Sequence, residues 1–205
     1  ANSAQLTLHS TFAATEILAF RKKLKENTEK LGLPNITIKD IITYAVSRAL
    51  IAHKDLNAHF NNDSIRRFTN AHIGIACDTE RGLMVPTLYN ANLLSLPEIA
   101  VQTKDLTSAC KAGTINPDLL TGGTFTITNL GTLGVESFTP VINPPQTGIL
   151  GVCSITERTK NGATYPAMGL SITFDHRAVD GAPCARFLQD VAWKLENFSL
   201  TIAGI

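Results

Sequence analysis

"SITFDHRAVDGAPCARFL", residues 171–188, is the stretch whose reading decides the fold. Up to Phe174 it has the β-branched and aromatic texture of a buried strand, and from about Pro183 the spacing of an amphipathic helix. Between the two lie Asp175-His176-Arg177 and, three residues on, Asp180-Gly181, the densest polar cluster of the chain. A strand that enters a core and ends in such a cluster puts reactive groups on a rigid scaffold.

Upstream, "AMGLSITF" (167–174), "GILGVCSI" (148–155) and "GGTFTITNLG" (122–131) share the β-rich texture between glycines. Short strands are expected at 65–69, 72–77 and 83–89, the last interrupted by Pro86, which suits an edge or a bulge. "AQLTLHSTF" (4–12) alternates like a strand. A helix is expected over 14–30, with Ile17, Leu18, Leu24 and Leu31 on its apolar side and Gly32 as its stop. Thr37 with Asp40 spells a capping box before the stripe Ile38, Ile41, Ile42, Ala45, Val46, Ala49 and Leu50. Ser95 with Glu98 starts a third helix that Gly113 closes. A last helix, 183–197, carries Leu188, Val191, Leu195 and Phe198 at three- and four-residue spacing. Helices and strands are mixed without strict alternation. This predicts an α/β chain of α+β type, a mixed β-sheet with packed helices, over a doubly wound parallel fold.

The 205 residues suffice for one core and show no seam between two. An apolar fraction of 44%, a charged fraction of 17% and a net charge of +1 describe a globular protein without a global basic field. Nucleic acid and anionic membranes are therefore not expected partners, and an anionic ligand must be held by a local cluster. Cys77, Cys110, Cys153 and Cys184 are widely spaced, with no C-x-x-C and no His at ligand spacing. They read as free thiols in a reducing compartment, with no zinc site and no disulfide framework. The N-x-S/T matches at Asn35, Asn62 and Asn197 then occur by chance. No apolar run approaches the roughly 20 residues of a membrane-spanning helix, and no leader pattern opens the chain, so a soluble intracellular protein is expected. The apolar end, "FSLTIAGI", suits burial against its own core or a neighbouring subunit.

Three groups are chemical candidates. His176 shares strand parity with Leu170, Ile172 and Phe174, so a core histidine is the bland alternative; its place at a strand end favours a proton acceptor near neutral pH. Asp180 with Gly181 is turn chemistry and suits the cap of the last helix, while a carboxylate there also braces the loop carrying His176. Thr128 ends a strand rich in threonine, just before Asn129 and a glycine-rich bend, where a hydroxyl can face a cleft. Phosphate-cradling loops are not expected, since neither G-x-x-x-x-G-K-[ST] nor a helix-opening G-x-G-x-x-G is present. No G-x-S-x-G supports a serine hydrolase.

"HRAVDG" (176–181) fits H-x-x-x-D-G, and as "DHRAVDGA" it resembles the catalytic domain of the dihydrolipoamide acyltransferases, the cores of 2-oxo acid dehydrogenase complexes. "TIKDIITYAVSRAL" (37–50), "NAHIGIACDTERGLMVPTL" (70–88), "GGTFTITNLG" and "VINPPQTGILGV" (141–152) extend the resemblance in order along the chain. The resemblance implies a chloramphenicol-acetyltransferase-like two-layer fold and a homotrimer with active sites between subunits, assembling into a larger hollow core. It implies acyl transfer between dihydrolipoamide and coenzyme A, with coenzyme A as a substrate and no metal. The lipoyl group would come from a domain outside this chain, and the partners would be that lipoyl domain and the dehydrogenase components of the complex. His176 is implied to be the base, Thr128 the oxyanion donor where the family more usually has serine, and Asp180 the brace of the loop. Asn129 and Gly181 are implied to contact substrate. Members normally carry an upstream basic arm whose arginine is expected to pair with the motif aspartate. Residues 1–205 therefore read as an N-terminally incomplete catalytic domain without lipoyl or subunit-binding domains. The expected setting is a bacterial cytoplasm, with the mitochondrial matrix as the alternative. The acyl group (acetyl, succinyl or branched-chain) stays open. So do two rivals: a non-catalytic core component, against which His176 argues, and another coenzyme A-dependent acetyltransferase of the same fold.

Overall fold

A computed structural model describes residues 3–61 and 63–204. Asn62 of the N-x-S/T matches and Ile205 of the apolar tail lie outside the described residues. In chain order the elements are β1 (Gln5–Ala13), α1 (Thr15–Leu31), α2 (Ile38–Ala52), β2 (Ala58–Asn61), β3 (Ser64–Arg67), β4 (Ile73–Ile75), β5 (Cys77–Thr79), β6 (Gly82–Met84) and β7 (Thr87–Leu88). They continue with α3 (Leu96–Ala112), β8 (Phe125–Asn129), β9 (Gly148–Lys160), β10 (Ala163–Asp175), α4 (Gly181–Glu196) and α5 (Phe198–Ile202).

The main sheet has six strands in the order β1-β10-β9-β8-β4-β7. β8 runs parallel to both β4 and β9, and the remaining pairs are antiparallel, so the expected mixed sheet forms. Pro86 separates β6 from β7, and β7 ends the sheet, where a residue without an N–H does least harm. The two capping boxes close as their sequences require. Thr37 and Asp40 satisfy each other's backbone at the start of α2, as Ser95 and Glu98 do for α3. Gly32 and Gly113 end α1 and α3 at φ 62° and 69°, in the left-handed region that favours glycine.

One face of the sheet carries Phe12, Phe125, Ile127, Leu150, Val152, Leu170, Ile172 and Phe174 into a core shared with α1, α2 and α4. Phe187 and Val191 of α4 meet them there, each fully buried and worth roughly 1.5–3 kcal/mol over exposure. The chain end seats through Phe198, whose ring lies 5.1 Å from Phe20 and 5.9 Å from Tyr44. Leu200 and Ile202 of the same short helix stay outside, so the apolar tail is only half covered by its own subunit.

The second face is also buried, which the sequence pattern did not convey: residues 167–175 of β10 are buried without a break. This face is polar. Thr7 meets Thr173 at 2.8 Å, and Ser171 meets His9 Nδ1 at 2.8 Å. The segment from Val135 to Thr147 covers it, placing the Phe138 ring against Gly151 and the Gln146 side chain against Thr126 and Gly123. Hydroxyls that pair with one another satisfy such a layer without apolar residues.

Candidate active site

The β10 strand ends at Asp175, and two N–H groups, of Ala178 and Val179, close on the Asp175 carbonyl at 2.9 and 3.0 Å. This turn swings the next side chain out of the strand's plane. His176 therefore does not continue into the core with Leu170, Ile172 and Phe174 as strand parity suggests; its side chain is 49% exposed. The ring stands 5.9 Å from Phe174 and its Nδ1 lies 3.9 Å from Asp180 Oδ1. That separation is electrostatic contact, too long for a hydrogen bond. The carboxylate of Asp180 is 82% exposed. It occupies the N-cap position of α4 but makes no side-chain cap, a correction to the expected capping role. The helix begins at Gly181, two residues before the expected Pro183, so Gly181 is its first residue. Among the described residues, the ionisable side chain within 4 Å of Asp180 is His176, and no arginine takes that place.

Asp175 and Arg177 flank the histidine and bind each other. Asp175 is 3% exposed and accepts Arg177 Nε at 2.9 Å, Nη2 at 2.6 Å and the Arg177 backbone N–H at 3.1 Å. The Arg177 hydrogen bonds hold this carboxyl below the usual carboxylate range against the opposing effect of burial. The sequence reading noted these residues as part of a charged knot without giving them a role. A D-x-R pair in a turn becomes visible only once the strand is known to end at 175.

Thr128 lies near the end of β8. Thr124, Thr126 and Thr128 share one side of the sheet, yet their hydroxyls differ. That of Thr124 donates to Asn57 Oδ1 at 2.6 Å and that of Thr126 to Gln146 Oε1 at 2.6 Å. Among the described residues, no side-chain hydrogen bond engages Thr128, which is half-buried. Asn129 turns the chain after it by accepting the Gly131 N–H at 2.9 Å. Gly131 must be glycine, because a Cβ there would sit 2.4 Å from the Cys153 carbonyl oxygen.

Asn129 and Gly131 line a cavity of about 710 Å³. Arg21, Lys39 and Lys111 bring three cations to its wall and Asp78 one anion. Arg21 Nε and Ser154 Oγ, also in this wall, are buried without a hydrogen-bond partner among the described residues. Such atoms suit a polar, anionic ligand. These cations escaped the sequence reading because they come from three different helices or helix starts. Their only early sign was the inference that an anion would need a local cluster.

The structure brings His176, Asp180 and Gly181 together, and separately Thr128 with Asn129. It does not bring the two groups to each other within one chain. Thr128 pairs with Gly151, and Gly151 with Ser171, which precedes His176 by five residues. At about 3.3 Å per residue the offset along the sheet is roughly 16 Å, with two strand spacings added. Among the described residues, no cluster of three or more His, Cys, Asp or Glu side chains offers a metal site.

Residues 1–203 match the family model described as 2-oxoacid dehydrogenases acyltransferase (catalytic domain). The dihydrolipoyllysine-residue acetyltransferase component of the acetoin cleaving system of Bacillus subtilis is 38% identical over 96% of this chain and 50% of its own length. The dihydrolipoyllysine-residue succinyltransferase component of the 2-oxoglutarate dehydrogenase complex of Buchnera aphidicola is 38% identical over 100% of this chain and 51% of its own. The chain thus spans about half the length of these relatives. Among solved structures, Azotobacter vinelandii dihydrolipoamide acetyltransferase superposes with a TM-score of 0.93 at 29% identity, over 98% of this chain and 85% of that one. That structure belongs to work on a serine, a histidine and an asparagine in its catalytic mechanism. The cubic core of the pyruvate dehydrogenase multienzyme complex matches with the same score, identity and coverage. Chloramphenicol acetyltransferase, at 14% identity and a TM-score of 0.59 over 96% of this chain and 88% of that one, shares the fold alone.

Proposed function

This chain belongs to the family of 2-oxoacid dehydrogenase acyltransferase catalytic domains, and from that premise we propose that it moves an acyl group between dihydrolipoamide and coenzyme A. The observation that carries the proposal is the separation of an exposed imidazole, His176, from an unengaged hydroxyl, Thr128, by more than a single subunit can close. Two chains that pair the His176 end of one with the Thr128 end of another complete the site. The relatives' names, and a matched structure that is a cubic core, support a place in a larger assembly, and a trimeric unit within it is part of the same proposal.

In this reading the attacking thiol, protonated at neutral pH with a reference pKa of about 8.5, gives its proton to His176 as its sulfur bonds the thioester carbon. The carbonyl oxygen becomes an oxyanion and receives a hydrogen bond from the Thr128 hydroxyl. Collapse breaks the bond to the other sulfur, which takes the proton back from His176, so the base is regenerated and charge is conserved. Asp180 lies 3.9 Å from the ring Nδ1 without bonding it, on the side where the transient imidazolium would face a carboxylate. Coenzyme A is a substrate here, and the cavity beside Asn129, with Arg21, Lys39 and Lys111, suits its phosphates. The lipoyl arm, the dehydrogenase components and a cytoplasmic bacterial setting belong to the same proposal, the last supported by four buried free thiols.

The test is an acyl-transfer assay with the complete protein, using acetyl-, succinyl- and isobutyryl-CoA with dihydrolipoamide. Turnover with at least one donor, lost in His176→Ala while the assembly stays intact by sedimentation, is the expected result. Near-normal turnover in His176→Ala overturns the reading.

A further inference from the structure

The imidazole of His176 makes no hydrogen bond to a side chain among the described residues, and half of its surface is open. Its orientation must come from the backbone on either side. That backbone is held at four points. The Asp175 N–H donates to the Thr147 carbonyl at 3.0 Å, and the His176 N–H to the Ala4 carbonyl at 2.8 Å. The Asp175 carboxylate receives the backbone N–H groups of Ala4 at 3.4 Å and of Arg177 at 3.1 Å. Across the histidine, the same carboxylate is gripped by the Arg177 guanidinium through Nε and Nη2. The guanidinium lies 4.7 Å above the Phe60 ring, so its outer face is supported as well.

Deepening the proposed acyl transfer and resting on it, we infer that Asp175 and Arg177 are positioning residues for His176: their ion pair clamps the turn that carries the imidazole and cancels a buried negative charge beside it. A bidentate guanidinium–carboxylate pair fixes both distance and plane. Because its two members are the residues immediately before and after His176, rotation of the peptide between them breaks the pair. The cancellation follows from burial: an unpaired carboxylate at 3% exposure would be poorly screened from a ring one residue away.

Other charges surround the turn. Asp180 approaches His176 from the start of α4, while Arg186 of α4, with His53, Lys54 and Asp55 after α2, lines a cleft of about 320 Å³ against Val179. All of these stay in place when the pair is altered, so paired single substitutions isolate its contribution.

The experiment uses the complete assembled protein as wild type, Arg177→Met, Asp175→Asn and Arg177→Lys. It reads steady-state acyl transfer and, independently of turnover, the pH dependence of His176 modification by diethylpyrocarbonate, followed on its peptide by mass spectrometry. Arg177→Met leaves the carboxylate uncancelled and Asp175→Asn leaves the guanidinium so. The midpoint of modification is expected to move up in the first and down in the second, by about half a unit to one unit each. In both, kcat should fall about tenfold or more with the KM for acyl-CoA within about twofold, and Arg177→Lys should recover part of the loss. Midpoints unmoved, or moved in the same direction in both variants, overturn the inference, as does full kcat in both. A wild type without acyl transfer would instead sink the functional reading, and the modification midpoints would still decide the clamp.

Discussion

Thr124, Thr126 and Thr128 are equivalent in composition and parity, and hydrogen bonding separates them: two hydroxyls are tied to Asn57 and Gln146 and the third is not. Thr128→Ala is therefore expected to lower kcat by about a hundredfold or more with little change in melting temperature, and Thr128→Ser to leave it nearly unaltered. Steady-state kinetics with denaturation curves check both. A different residue contributes to the alkaline limit, together with Cys110 and Cys153, whose thiols burial also pushes up. Burial, with Asp180 nearby, pushes the Cys184 thiol up to about 12. The folded state then keeps a proton that the unfolded chain releases above about 8.5. Stability is complete below that pH and declines as pH rises towards 12, by up to about 1.4 kcal/mol per unit. Cys184→Ala should flatten that decline in chemical denaturation followed from pH 8 to 10, and an equal slope would remove the cause. His176 and Thr128 could be singled out as candidates because a motif and a strand end mark them. The Asp175–Arg177 pair was not anticipated, since its contact is made only by the geometry of the turn that follows the strand.

Among the elements, both capping boxes and both glycine stops were readable because each depends on residues within one turn of helix. The β9–β10 hairpin was read too short. Its outer half, "TERTKNGATYP", is exposed and polar, so apolar patterning ends before pairing does. Pairing in fact continues to Lys160 opposite Ala163, joined by Asn161 and Gly162 at φ 53° and 79°. The Asn-Gly dipeptide was the available signal, as it favours the two-residue turn that matches strand twist. Gly162→Ala should cost about 1 kcal/mol, read as a lowered denaturation midpoint with the acyl-transfer rate unchanged, because the hairpin tip is far from His176 and Thr128. The β2–β3 hairpin was missed in its first strand because Ala58–Asn61 has only four residues, too short a run for its alternation to stand out.

At the scale of the whole molecule, the proposed acyl transfer needs more than one subunit, because the His176 end and the Thr128 end lie apart within one chain. Alone, His176→Ala and Thr128→Ala should each keep no more than about a hundredth of wild-type activity. Mixed by co-expression in equal amounts, they should regain about a quarter of wild-type activity, because in a cyclic trimer that fraction of interfaces joins an intact histidine to an intact threonine. No recovery in verified mixed trimers would mean that both groups act within one subunit. The layer architecture was legible from the order of elements. A site shared between subunits was implied by the family resemblance alone; the separation of its two ends follows from register between β8, β9 and β10, which no single segment encodes. The strand β1 closes one side of the main sheet, and its nine residues include neither proline nor lysine, the usual guards of an open edge. A subunit set adrift would thus expose a row of backbone donors and acceptors ready to recruit any extended chain. Dilution or mild denaturant should then yield insoluble material in place of a lasting pool of single chains.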